Sequence, residues 1–189
     1  KASADSVKRV SQELGGKSAN IILDDELFET SIRKGVQECM ENTGQSCNSP
    51  TRMLVPVSRK NDAYEIAVSE VENIIVGDPN EDSTIIGPVV SNIQFEKVQK
   101  LIQIGIDEGA RLLSGGIGKP NGLKVGYYIK PTIFGEVNNN MKIAKEEIFG
   151  PVLSIIPYKN IEDAILIAND TEYGLAAYIS GKNKEHHNF

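Results

Sequence analysis

The chain has no tryptophan, two histidines and two cysteines. Cys39 and Cys47 stand eight positions apart, with no CxxC pair and no Cys/His cluster at zinc-ligand spacing. That excludes a zinc module and a disulfide scaffold, and it fits free thiols in a reducing, cytoplasmic setting. The histidines, His186 and His187, are adjacent near the end of the sequence and read as a solvated tail; no metal site is expected. Basic residues are in deficit, 20 Lys and Arg against 26 Asp and Glu, for a net charge of −6. A general nucleic-acid binder needs a basic face, so that class is excluded. No apolar run reaches the length of a membrane span. No basic start followed by an apolar stretch marks a secretory signal.

What is present is an ordinary globular balance, 40% apolar and 24% charged, over 189 residues. That is enough for one substantial domain with its own core. The chain starts at Lys1 and its first methionine is Met40, so it reads as a piece of a longer reading frame.

Strand and helix patterns alternate throughout. "ANIILDD" reads as a buried strand over Ile21 to Leu23. In the helical segment after it, Leu27, Phe28, Ile32, Val36 and Met40 share a face, and Asp24 or Asp25 is placed to cap it. "RMLVPV" reads as a strand whose Pro56 marks an edge or a strand end. A second amphipathic helix carries Ala63, Ile66, Ala67, Val71 and Ile74 on one stripe. A third has Ser91 as its N-cap, Val98, Leu101, Ile102 and Ile106 as its stripe, and Gly109 as its stop. "ARLLSGG", the extended "GYYIKPTIFGEV", "PVLSIIPY" and "GLAAYISG" read as strands, and "NIEDAILIAND" as a short helix. This order predicts an α/β domain, three layers αβα, with a mainly parallel sheet. The glycine-rich "GGIGKPNG" matches neither phosphate-loop pattern and reads as a surface loop.

Three stretches hold residues suited to chemistry. In "ENTGQSCNSPTR", Cys47 lacks the aliphatic neighbours of a core thiol. Small polar neighbours would give it access, and a helix starting at "CNSPTR" would favour its thiolate. It reads as either a reactive thiol or an idle loop cysteine; Cys39, inside a helix, reads as core. In "SQELGGKSANIIL", Glu13 precedes Gly15 and Gly16, which permit a tight turn and close approach of backbone to a ligand. It reads equally as a solvated strand end. In "KEEIFGPV", Glu146 and Glu147 finish a helix or serve a site, and Phe149 is core or a contact.

Taken together and in this order, the stretches resemble the catalytic domain of the aldehyde dehydrogenase superfamily. "ELGGKSANIIL" is similar to that family's glutamate motif and "NTGQSC" to its cysteine motif, with Glu13 and Cys47 34 positions apart. "EEIFGPV" looks like its nicotinamide-ribose segment, and "ANDTEYGLAAYISG" like the stretch near the domain's end. The resemblance implies oxidation of a small-molecule aldehyde with NAD or NADP. Cys47 would be the nucleophile, forming a thiohemiacetal that loses hydride to become a thioester. Glu13 would activate the hydrolytic water. Glu147 and Phe149, with Leu14 and Gly15, would contact the cofactor, and the Cys47 N–H would give half of an oxyanion hole.

The resemblance also implies departures. Residues 1–13 correspond to a remnant of the cofactor domain and 14–189 to a catalytic domain cut short at its C-terminal end. The cofactor site is then incomplete, and so is the oxyanion hole, which lacks its asparagine amide. The strand that assembles intact members into homo-oligomers is missing. Two alternatives stand beside this reading. One is a CoA-acylating relative, against which the presence of Glu13 argues. The other is a catalytically silent fragment that keeps the fold.

Overall fold

The computed structural model describes residues 3–182; the His186–His187 pair lies outside them. Among the described residues, six strands form one sheet: β1 (Ala19–Ile22), β2 (Arg52–Pro56), β3 (Arg111–Ser114), β4 (Thr132–Gly135), β5 (Val152–Tyr158) and β6 (Ala177–Ser180). Their order is β3-β4-β5-β2-β1-β6. Only β3 runs antiparallel, against β4; the other neighbours are parallel. The helices are α1 (Phe28–Met40), α2 (Lys60–Val71), α3 (Asn92–Asp107), the single-turn α4 (Lys142–Lys145) and α5 (Ile161–Asn169).

Side chains alternate along each central strand, and both faces are covered. On β2, Met53 and Val55 pack with α1 and α2, while Leu54 packs with α3, α4 and α5. On β5, Leu153 and Ile155 take the first face, and Val152 and Ile156 the second. Strands buried on both sides read as continuous apolar runs, which is how "PVLSIIPY" looks in the sequence. The expected three-layer α/β arrangement follows. Each fully buried Leu, Ile or Phe contributes about 1.5–3 kcal/mol of transfer free energy to it.

Several local expectations are met and others corrected. Ser91 caps α3, its Oγ accepting from the Gln94 N–H at 3.2 Å, and Gly109 ends it at φ +88°. Pro56 closes β2, but β2 lies between β5 and β1 and is no edge. Neither Asp24 nor Asp25 caps α1, which begins after Leu27. Instead, Asp25 Oδ1 accepts from the Leu27 N–H at 2.8 Å in the turn before it. Of the extended stretch 126–137, only β4 joins the sheet.

The topology has one consequence for function. β5, β2, β1 and β6 are consecutive and parallel, with Ala19 opposite both Arg52 and Ala177, and Arg52 opposite Ser154. The segments that feed them, 146–151, 44–51, 13–18 and 173–176, therefore arrive at one edge of the sheet. Three of those segments hold the three stretches singled out for chemistry.

Candidate active site

Cys47 sits in a turn closed by the Ser49 N–H donating to the Ser46 carbonyl at 3.1 Å. Cys47 and Asn48 occupy its two central positions. A helix starting at "CNSPTR" is not formed. Pro50 has no N–H to give, and the Arg52 N–H donates to the Ser18 carbonyl at 3.1 Å, which commits the chain to β2. No helix dipole acts on Cys47 from this segment. The approach to the turn is unusual: Asn42, Thr43 and Gly44 are all left-handed, at φ 50°, 59° and 69°. For a β-branched residue such as Thr43 this costs about 1–2 kcal/mol. Thr43 is held there by burial and by its Oγ1 donating to the Gly87 carbonyl at 3.2 Å. At Gly44 any Cβ would collide with the Gly150 carbonyl. The cysteine segment is thus pressed onto "EIFGP".

The glutamate segment arrives beside it. Glu13 and Leu14 are exposed, Gly15 is half-buried, and the chain is fully inside from Gly16. The Gly16 N–H donates to Glu147 Oε1 at 3.0 Å. A Cβ on Gly15 would stand 2.6 Å from Glu147 Oε2, and one on Gly16 would strike the Cys47 carbonyl oxygen. Close approach of backbone requires glycine at Gly16, whereas at Gly15 the neighbour is the end of the Glu147 side chain. So the structure joins Gly15, Gly16, Glu147 and the Cys47 backbone. It leaves the Glu13 and Leu14 side chains outside that cluster.

The Glu147–Phe149 segment is held by α3. Gln94 Nε2 donates to the Ile148 and Phe149 carbonyls at 2.9 and 2.7 Å, and Lys97 Nζ to the Glu147 carbonyl at 2.7 Å. Phe149 is left-handed, at φ 56°, a conformation that needs such outside support. The sequence offers one signal for Gln94: it is a polar residue four positions before Val98, in line with the apolar stripe of its helix. Arg52, read only as a strand residue, is buried and ties the site together. Its Nε donates to the Lys17 carbonyl at 2.9 Å, and its terminal nitrogens to Asn139 Oδ1 and to the Ile167 and Ala168 carbonyls.

Two buried ionisable groups lie beneath the site. Cys39 is fully buried, as expected, and desolvation pushes its thiol up to about 12. Lys17 is also fully buried, with no acceptor for Nζ among the described residues. Desolvation lowers its ammonium to about 7, against a smaller opposing pull from Cys39 and Glu147. Among the described residues, no group of His, Cys, Asp and Glu is arranged to hold a metal ion.

A thiol on a polar turn, a carboxylate held by the Gly16 N–H, and a feeding segment that bears a second carboxylate thus meet where the parallel strands begin. The comparison with known proteins gives the class. The aldehyde dehydrogenase family model matches residues 1–189, and the chain belongs to that family. It is 54% identical over 184 residues to a 3-succinoylsemialdehyde-pyridine dehydrogenase from a Pseudomonas species, covering 97% of this chain and 39% of that protein. It is 51% identical over 185 residues to a putative aldehyde dehydrogenase of Staphylococcus haemolyticus, again 39% of that protein. Among solved structures, aldehyde dehydrogenase C of Pseudomonas syringae, a mutant complexed with NAD+ and octanal, superposes with a TM-score of 0.94 at 48% identity. The Mycobacterium tuberculosis aldehyde dehydrogenase complexed with NAD+ gives 0.91 at 46%. Each match covers 97% of this chain and 38% of the solved one, so the chain spans about two fifths of its relatives' length.

Proposed function

We propose that this chain supplies the nucleophile and the hydrolytic base of an aldehyde dehydrogenase that uses NAD or NADP. The observation that carries the reading is the contact of three segments at one sheet edge: Gly16 against the Cys47 carbonyl and under the Glu147 carboxylate. Residues 1–13 belong with the cofactor domain and 14–189 with the catalytic domain, in keeping with burial that begins after Leu14.

Cys47 is half-exposed on its turn. Its thiolate adds to the aldehyde carbonyl and forms a C–S bond. The Cys47 N–H makes no hydrogen bond among the described residues and is free to receive the developing oxyanion. The cofactor, when bound, accepts the hydride. The chain's cradle suits its nicotinamide ribose: the Glu147 carboxylate is fixed by the Gly16 N–H, Gly15 lies against that carboxylate, the exposed Leu14 precedes it, and Phe149 stands two residues from Glu147. Glu13, exposed two residues before Gly15, takes a proton from the water that cleaves the thioester. The acid leaves and the thiol is regenerated.

The test uses an activated ester, whose acyl transfer to Cys47 needs no cofactor. Cys47→Ala should abolish ester cleavage. Glu13→Gln should let the acyl group load and slow its release. Because the chain spans 38% of the matched structures, we expect this polypeptide to cleave ester slowly and to show little NAD(P)+-dependent aldehyde oxidation. Cleavage that persists in Cys47→Ala overturns the reading.

A further inference from the structure

A two-residue turn fixes a side chain's direction only if its peptide planes are held from outside. Around Cys47 they are. Ser49, which closes the turn two residues after Cys47, is buried, and its Oγ donates to the Cys39 carbonyl at 3.2 Å. The Cys47 carbonyl rests on Gly16. The following carbonyl, that of Asn48, accepts from the Tyr178 hydroxyl at 3.0 Å. Tyr178 lies in β6, where the parallel register sets it opposite Asn20 of β1. Its position is therefore set by the sheet rather than by a loop. A recess of about 160 Å³ lies between this tyrosine and Ser46, Asn48 and Pro50.

We propose that Tyr178 is a positioning residue for Cys47, clamping the nucleophile's turn from the β6 strand through the Asn48 carbonyl. This inference rests on the reading of Cys47 as nucleophile. Two successive carbonyls, of residues 47 and 48, are held by the two sides of one sheet edge: the lead-in to β1 holds the first and β6 the second. Fixing both planes fixes the φ and ψ of Asn48; the Ser49 N–H bond to the Ser46 carbonyl holds the plane before Cys47, so the direction of the Cys47 Cα–Cβ bond is set as well. Holding the Cys47 carbonyl also turns the Asn48 N–H, which lies trans to it in the same plane, away from Gly16. The role belongs to the hydroxyl alone, since the ring's packing survives in phenylalanine.

The experiment compares the 189-residue chain with its Tyr178→Phe variant. Four quantities are read: the rate of Cys47 acylation by p-nitrophenyl acetate, the rate of Cys47 alkylation by iodoacetamide across neutral to alkaline pH, the melting temperature, and the protection of Cys39. Displacement by about 1 Å costs on the order of 10² in rate. Loosening one of three anchors should cost less, about 3- to 10-fold in acylation, with the melting temperature and Cys39 protection held. Acylation within twofold of the parent overturns the proposal. So does a loss that appears only together with a lower melting temperature and an exposed Cys39, the sign of a merely structural tyrosine. Cys47→Ala separates the two readings. If it still cleaves ester, the nucleophile assignment fails, and the clamp is then judged on alkylation of Cys47, which must change at least threefold in Tyr178→Phe for it to stand.

Discussion

Gly16 faces the carbonyl oxygen of Cys47 so closely that a Cβ there would collide with that oxygen. Gly16→Ala must therefore push the Cys47 turn away from β1. Overpacking of this kind costs about 1–3 kcal/mol, to be read as a lower melting temperature. The rate of Cys47 acylation should fall further, on the order of 10². An alanine variant with the parent's acylation rate would show that the contact is incidental.

The two thiols should differ sharply in reactivity. Burial pushes Cys39 to about 12, so almost no thiolate exists there at neutral pH, whereas Cys47 is half-exposed. With limiting iodoacetamide and peptide mapping, we expect label on Cys47 alone until the chain is unfolded. Preferential label on Cys39 in the folded chain contradicts this.

Lys17 should make stability depend on pH. Its folded value, about 7, lies below the ordinary 10.5, so between them the unfolded chain binds the proton more readily. Stability then falls as pH drops from about 10.5 to about 7 and levels off below. Cys39, with a folded value above its ordinary 9.0, acts only above that pH, so the window from 7 to 9 isolates Lys17. Lys17→Met should flatten this slope and stabilise the chain at neutral pH by about 1–4 kcal/mol. Denaturant titrations at both ends of the window check it; a variant less stable at pH 7 than the parent would contradict it.

Gln94 donates to two consecutive carbonyls that flank a left-handed Phe149. Gln94→Ala should destabilise by about 1–3 kcal/mol. Amide hydrogen exchange over 146–151 should speed up well beyond that of β5, which lies deeper in the sheet. Uniform exchange across both would mean that the bonds are not what orders this segment.

The elements were legible because their signals are local. Ser91 and Gly109 bracket α3, and the run 152–156, apolar except for Ser154, announces a strand covered on both faces. Cys47 stood out for the same reason, by its polar neighbours. What the sequence could not show are relations between distant segments. In open parallel sheets, ligands ordinarily gather at the carboxyl ends of strands. Here the relevant segments all enter strands, and only the order β5-β2-β1-β6 brings them together. The same holds for Gly16 and Glu147, 131 positions apart, and for Tyr178 and Asn48, 130 apart. The expected helix after Cys47 failed because "CNSP" has the small polar residues of a helix start, while the commitment of Arg52 to β2 depends on Ser18 in another segment.

Cys47 as the covalent nucleophile is the centre of this account, and one measurement addresses it most directly. The chain is mixed briefly with p-nitrophenyl acetate, quenched in acid, digested and mapped by mass spectrometry. The account expects a single acetyl group on the peptide bearing Cys47, absent in Cys47→Ala and longer-lived in Glu13→Gln. Acetyl groups spread over lysines, or a label that persists without Cys47, would contradict it.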